Sequence, residues 1–124
     1  MWYQQFEDLP VWKRADELNA RLLPLVSVAR RRRDFRFAEQ LRGAGLSVTN
    51  NIAEGFERGS IPEFIHFLRI AKGSAGEVRS MLHMAIREKM LPDEDLRIIR
   101  DLALEVSRHL AQFVKYLRAK NGAA

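Results

Sequence analysis

Apolar residues four and three apart recur along almost the whole chain, and that spacing restricts it to packed helices. Val11, Ala15, Leu18, Leu22, Leu25 and Ala29 form one such seam. Phe64, Leu68, Ala71, Ala75, Val78, Leu82 and Ala85 form another, and Leu96, Ile99, Ala103, Val106, Leu110, Phe113 and Leu117 a third. A helix turns about 100° per residue, so these steps fall on one face, whereas a strand needs alternation by two. Phe37, Leu41, Val48, Ile52 and Phe56 share the face of a fourth helix, with Ala44 and Gly45 beside them. No strand alternation, low-complexity segment or second domain is visible, and 124 residues suit one domain.

Caps and breakers place the helices at about 10–31, 35–58, 61–90 and 93–119. Pro24 interrupts the first and is expected to kink it or loosen its last turn. Asp34 is the expected N-cap of the second, and Gly59 marks its end. Ser60, Pro62 and Glu63 fit a capping box with proline in the first turn, where no donor is lost. Leu91, Pro92 and Asp93 break the third helix, and Asn121 and Gly122 are a good stop for the fourth. Short connections make sequential helices antiparallel, so the expected fold is all-α, an up-down-up-down four-helix bundle. The first few residues and the last four are expected to be loose, unless Trp2, Tyr3 and Phe6 tuck against the bundle or a neighbour.

The second helix also carries Ser47, Thr49, Asn50 and Asn51, types that compete with the helix for backbone hydrogen bonds. Gly43, Ser47, Asn50 and Glu54 line up opposite its apolar stripe, with Asn51 to one side. Each glycine within a helix costs roughly 1 kcal/mol relative to alanine. Water does not call for Gly43, Gly45 and Gly55, but close approach of another helix does. The third helix repeats the anomaly at "GSAG", residues 73–76, and holds Ile65, Phe67, Ile70, Met81 and Met84 off its main seam. A helix apolar on more than one side points to self-association. Ser47, Asn50, Asn51, Glu54, Ser74 and Glu77 are expected to form a polar network between helices two and three or across a protomer boundary.

The net charge is +5, and its distribution is local. Arg30, Arg31, Arg32 and Arg33 carry +4, while the preceding 29 residues sum to −1. On helix four, Arg97, Arg100, Arg108, Lys115 and Arg118 form a line opposite the apolar seam, with no acid on it. On helix three, Arg69, Lys72, Arg79 and Arg87 form a second. Either line alone reads as a solvated face. Together with the arginine run they suit phosphates, which arginine grips with a planar fork.

Catalytic chemistry finds no purchase. None of His66, His83 and His109 has another histidine at ligand spacing, and Ser47 and Ser74 have no readable histidine base. Glu63 and His66 match the Glu-x-x-His unit of di-metal bundles once, where two copies are needed. The expectation is no enzyme activity, no metal and no cofactor. No run approaches the roughly 20 apolar residues of a membrane span, and the N-terminus lacks a signal-peptide pattern. With no cysteine in the chain, a cytoplasmic location is expected.

The stretches "FEDLPVWKRADEL", "EQLRGAGLSVTNNIAEGFERGS" and "EFIHFLRIAKGSAGEVRS" resemble a bacterial family of four-helix bundles first noticed in intervening sequences of large-subunit ribosomal RNA genes. The resemblance runs from about Phe6 to Ala85 and is most specific at "NIAEG" and the Gly-Ser pair at 73–74. Helix four matches only in pattern. Gly43 stands where arginine is usual, Thr49 where proline is common, and "RRRR" replaces a segment that usually holds Phe-Pro. The resemblance implies a ring-like homopentamer without enzyme activity. The family is also similar to the accessory variability determinants of diversity-generating retroelements, basic pentamers that bind nucleic acid and a reverse transcriptase. The expected function is therefore a nucleic-acid-binding accessory for structured RNA or an RNA–DNA hybrid, and the alternative is a protein-interaction scaffold.

Overall fold

The computed structural model describes residues 3–123. A short 3-10 helix, Phe6–Asp8, leads into four α-helices: α1 (Pro10–Arg31), α2 (Phe35–Glu57), α3 (Ile61–Arg87) and α4 (Asp93–Ala123). Among the described residues there is no strand. The four helices bundle around one core. Each packs on the next in sequence, and α1 also rests on α4.

The seams face inward. Ala29, Leu41, Val48, Ile52, Leu68, Ala75, Val78, Ala103, Val106 and Leu110 are completely buried, and Phe56 and Phe113 are half-buried. Leu9, Val26, Leu102, Met90 and Val114 join them from positions off the main steps. Phe56 and Phe113 each meet Phe64 edge-on, at 6.1 and 5.4 Å between ring centroids. This favoured geometry pins α2, α3 and α4 together at one end.

Local signals explain most boundaries. The Asp34 carboxylate accepts from the Phe37 N–H at 3.1 Å and starts α2. Ser60 Oγ accepts from the Glu63 N–H at 3.3 Å, and its hydroxyl donates to Glu63 Oε1 at 3.1 Å. The box is thus closed side chain to side chain. Two turns use the left-handed region without glycine: Arg33 (φ 62°) after α1 and Lys89 (φ 51°) after α3. In each case the next N–H reaches back five residues, Asp34 to Ala29 and Met90 to Ala85, as in a Schellman stop.

Several boundaries differ from the sequence expectation. α3 ends at Arg87 rather than near 90, because the left-handed turn at Lys89 precedes the proline break. α4 runs through Asn121 and Gly122 to Ala123, past 119, because a glycine permits a left-handed stop without imposing one. α1, by contrast, has the expected bounds and continues through Pro24 to Arg31. Phe6 is held edge-on against Trp12 at 5.3 Å, so the N-terminal segment is packed from there on. Trp2 lies outside the described residues.

Candidate nucleic-acid interface

The polar stretch of α2 is wedged between two neighbours. Thr49 is buried on the α1 side, where its hydroxyl accepts from Asn19 Nδ2 at 3.2 Å and donates to the Leu46 carbonyl at 3.2 Å. On the α3 side Ser74 Oγ donates to Ser47 Oγ at 2.8 Å. Asn51 Nδ2 donates to the Ser47 carbonyl at 2.8 Å and to Ser47 Oγ at 3.0 Å. Ser47, Asn51 and Ser74 therefore form one half-buried cluster. The other three expected members lie elsewhere. Asn50 lines a groove between α1 and α2, Glu54 pairs with Arg58 at 2.8 Å one turn along its own helix, and Glu77 is exposed. Asn19 is missed by sequence reasoning. Its signal is a lone amide beside the α1 seam, facing the Gly45–Thr49 turn.

The glycines divide into two sets. A side chain at Gly45 would run into Asn19, and one at Gly55 would put Cβ 2.8 Å from Phe67 Cβ and 2.9 Å from Phe64 Cδ1. Helix approach within one chain accounts for both. Gly43, Gly73 and Gly76 have open space where a Cβ would stand. On the same side of α3, Ile70 and Met84 are 40% and 44% exposed, whereas Met81 is buried.

The cations also divide. Arg30 pairs with Glu39 at 3.1 Å, and Arg32 donates to the Glu88 and Lys89 carbonyls at 3.0 and 3.3 Å, closing off the end of α3. On α4, Arg97 pairs with Glu94 and with Asp101 at 3.9 Å, and Arg100 lies 4.0 Å from Asp101. These acids sit off the arginine line yet within reach of it: Glu94 and Asp101 lie three and four residues from Arg97, and Asp101 adjoins Arg100. Among the described residues Arg31, Arg33, Arg69, Lys72, Arg79, Arg108, Lys115 and Arg118 are exposed and make no ion pair. Arg108, Lys115 and Arg118 span about 15 Å of one helical face, at about 1.5 Å per residue.

An exposed ion pair also links α1 to α4, where Arg14 bridges Glu105 and Glu17 and its pKa is raised, chiefly by the hydrogen bond to Glu105. His109 lies nearby. Burial pushes its pKa down against the pull of Glu105. Glu63 is engaged by Ser60 and Arg58, and His66 edges onto the Phe67 ring at 5.1 Å. No helix among the described residues is long and apolar enough to cross a membrane.

Comparison with known proteins fits this architecture. The family model for the 23S rRNA-intervening sequence protein matches residues 7–112. A similar solved structure is that of a protein of unknown function from the S23 ribosomal protein family of Bacteroides thetaiotaomicron. It is 25% identical, with a TM-score of 0.78 over 85% of this chain and 98% of that one. No curated protein matches the chain. With the family model covering α1, α2, α3 and α4 as far as Gln112, the chain belongs to the 23S rRNA-intervening sequence protein family.

Proposed function

We propose that this chain is a non-enzymatic, nucleic-acid-binding subunit that assembles with copies of itself and grips structured RNA or an RNA–DNA hybrid along α4. The observation that carries the reading is the exposed line of Arg108, Lys115 and Arg118, none of which makes an ion pair among the described residues. Such a line suits phosphates, and the family's tie to the 23S rRNA intervening sequence is in keeping with it. The protomer is an antiparallel up-down-up-down bundle, in which Arg30 meets Glu39, Asn19 meets Thr49 and Ser47 meets Ser74. The exposed Ile70 and Met84, beside glycines with open space, favour a ring of copies packed through α3. A reverse transcriptase is the protein partner that the likeness to retroelement accessory determinants suggests, and the cytoplasm is the setting.

The same exposed α3 face would also suit an unrelated protein, which is the scaffold alternative. One experiment separates the two. RNA-hairpin binding is measured from about 50 to 200 mM salt for the parent chain and for the triple variant Arg108→Glu, Lys115→Glu, Arg118→Glu. The expected result is a log–log salt slope shallower by about 2–3 in the variant, with its melting unchanged. A parent chain with no salt-dependent retention of RNA overturns the reading and favours the scaffold. Light scattering on the same samples tests the ring, which a monomer at working concentration rules out.

A further inference from the structure

The second half of α4 carries more than charge. Tyr3, Pro10, His109, Gln112, Phe113 and Tyr116 line a cavity of about 400 Å³ between the start of the chain and α4. Its four α4 residues are spaced i, i+3, i+4, i+7, so they share one helical face. Tyr116 is 52% exposed and stacks on Phe113, with 6.4 Å between centroids and 30° between planes. Phe113 is braced edge-on by Phe64. The core thus fixes a flat aromatic plate and leaves its outer ring open to solvent.

Polar groups stand at the edges of this plate. Gln112 is exposed and offers both a donor and an acceptor. Burial lowers the His109 pKa, so at neutral pH its imidazole offers one of each. Lys120 Nζ lies 6.0 Å from the Tyr116 centroid, and an adjoining hollow shares His109 and Gln112 and is lined by Arg108, Asp101 and Glu105. A cationic ligand would meet Lys120 over the Tyr116 ring. A purely apolar side chain would leave the half-buried His109 without a partner. A nucleobase satisfies both requirements: it stacks, it has hydrogen-bonding edges, and it carries a phosphate toward the cations.

We infer that the cleft between the chain start and α4 holds one unpaired base of a bound strand, stacked on Tyr116 and met at its edge by Gln112 and His109. Its flanking phosphates lie along Arg108 and Lys115, which neighbour Gln112 on the helical wheel. Lys120 yields the ring face and keeps its charge beside the strand. This site rests on the nucleic-acid reading above and adds base contact to it.

The test uses the full chain with an adenylate RNA decamer and a decamer of abasic ribose phosphates of the same length and charge. The parent chain is expected to prefer the adenylate decamer by about 5- to 150-fold, the range of one base–aromatic stack. Tyr116→Ala, at an exposed position, is expected to abolish that preference, Gln112→Ala to reduce it and Tyr116→Phe to keep it. Equal binding of both decamers by the parent and by Tyr116→Ala overturns the cleft and leaves the phosphate-binding line intact. If neither decamer nor the RNA hairpin binds, the cleft and the proposed function fall together. A Tyr116→Ala chain that changes assembly size while the parent ignores base content also overturns the cleft, because it places Tyr116 in a subunit contact.

Discussion

The α2–α3 seam and the second half of α4 treat polar residues in opposite ways. Along the seam Ser47, Asn51 and Ser74 satisfy one another, and Gly55 is sealed by Phe64 and Phe67. From Ser107 onward α4 leaves such groups unspent. The Ser107 hydroxyl is buried without a partner among the described residues, and Arg108, Lys115 and Arg118 face solvent unpaired. The seam holds "NIAEG" and Gly73-Ser74, stretches that carry the sequence resemblance, and in this chain they serve architecture. The surface with unused chemistry runs past residue 112, where the match to the family model ends. Residues that identify a fold and residues that do its work need not coincide.

Substitutions can break or sharpen this contrast. The largest effect on stability is expected at Gly55→Ala, where the new methyl meets Phe67 and Phe64 below normal contact distance. Overpacking of this kind costs about 1–3 kcal/mol, read as a lower urea midpoint with RNA binding retained. Ser74→Ala breaks the bond to Ser47 and should cost about 1 kcal/mol in the same measurement. Ser107→Ala removes an unsatisfied hydroxyl and should do the reverse, raising stability by up to about 1 kcal/mol. If Ser74→Ala is neutral and Ser107→Ala is costly, the two regions have been assigned the wrong way round.

The smallest effect concerns pH. Burial favours neutral His109 in the folded chain, so the unfolded chain binds the proton more readily. The stability from neutral burial is complete above the unfolded pKa of about 6.5 and is lost as pH falls through the lower folded value. Urea melts at pH 7.5 and 5.0 should therefore show a smaller acid loss for His109→Gln than for the parent. An identical loss in both would exclude His109 as a contributor.

Much of the fold is legible in the sequence because seam residues obey one periodicity. Leu18, Leu68 and Leu110 are recognisable from spacing alone and lie in the core. The polar wedge is harder. Thr49 and Asn19 are 30 residues apart, and their pairing depends on how α1 and α2 dock. The same limit applies to Gly55, whose neighbour could be another copy or, as here, α3. Charge lines read from a wheel also mislead at Arg97 and Arg100. A wheel ranks residues by angle, whereas a long arginine side chain reaches acids one turn away. The α4 cleft escapes notice because Tyr116 and Gln112 share a cavity with Tyr3 and Pro10, residues over 100 positions away in sequence.

Arg32 gives the arginine run a second meaning. Its guanidinium reaches from the turn after α1 to the carbonyls just beyond α3, at Glu88 and Lys89. An anion that recruits Arg32 must first unhook it from both, and the turn holding Met90 then loses its outside tether. Occupancy at the turn joining α1 to α2 would thereby be felt in the turn joining α3 to α4, as faster amide exchange there, although no ligand touches that second turn.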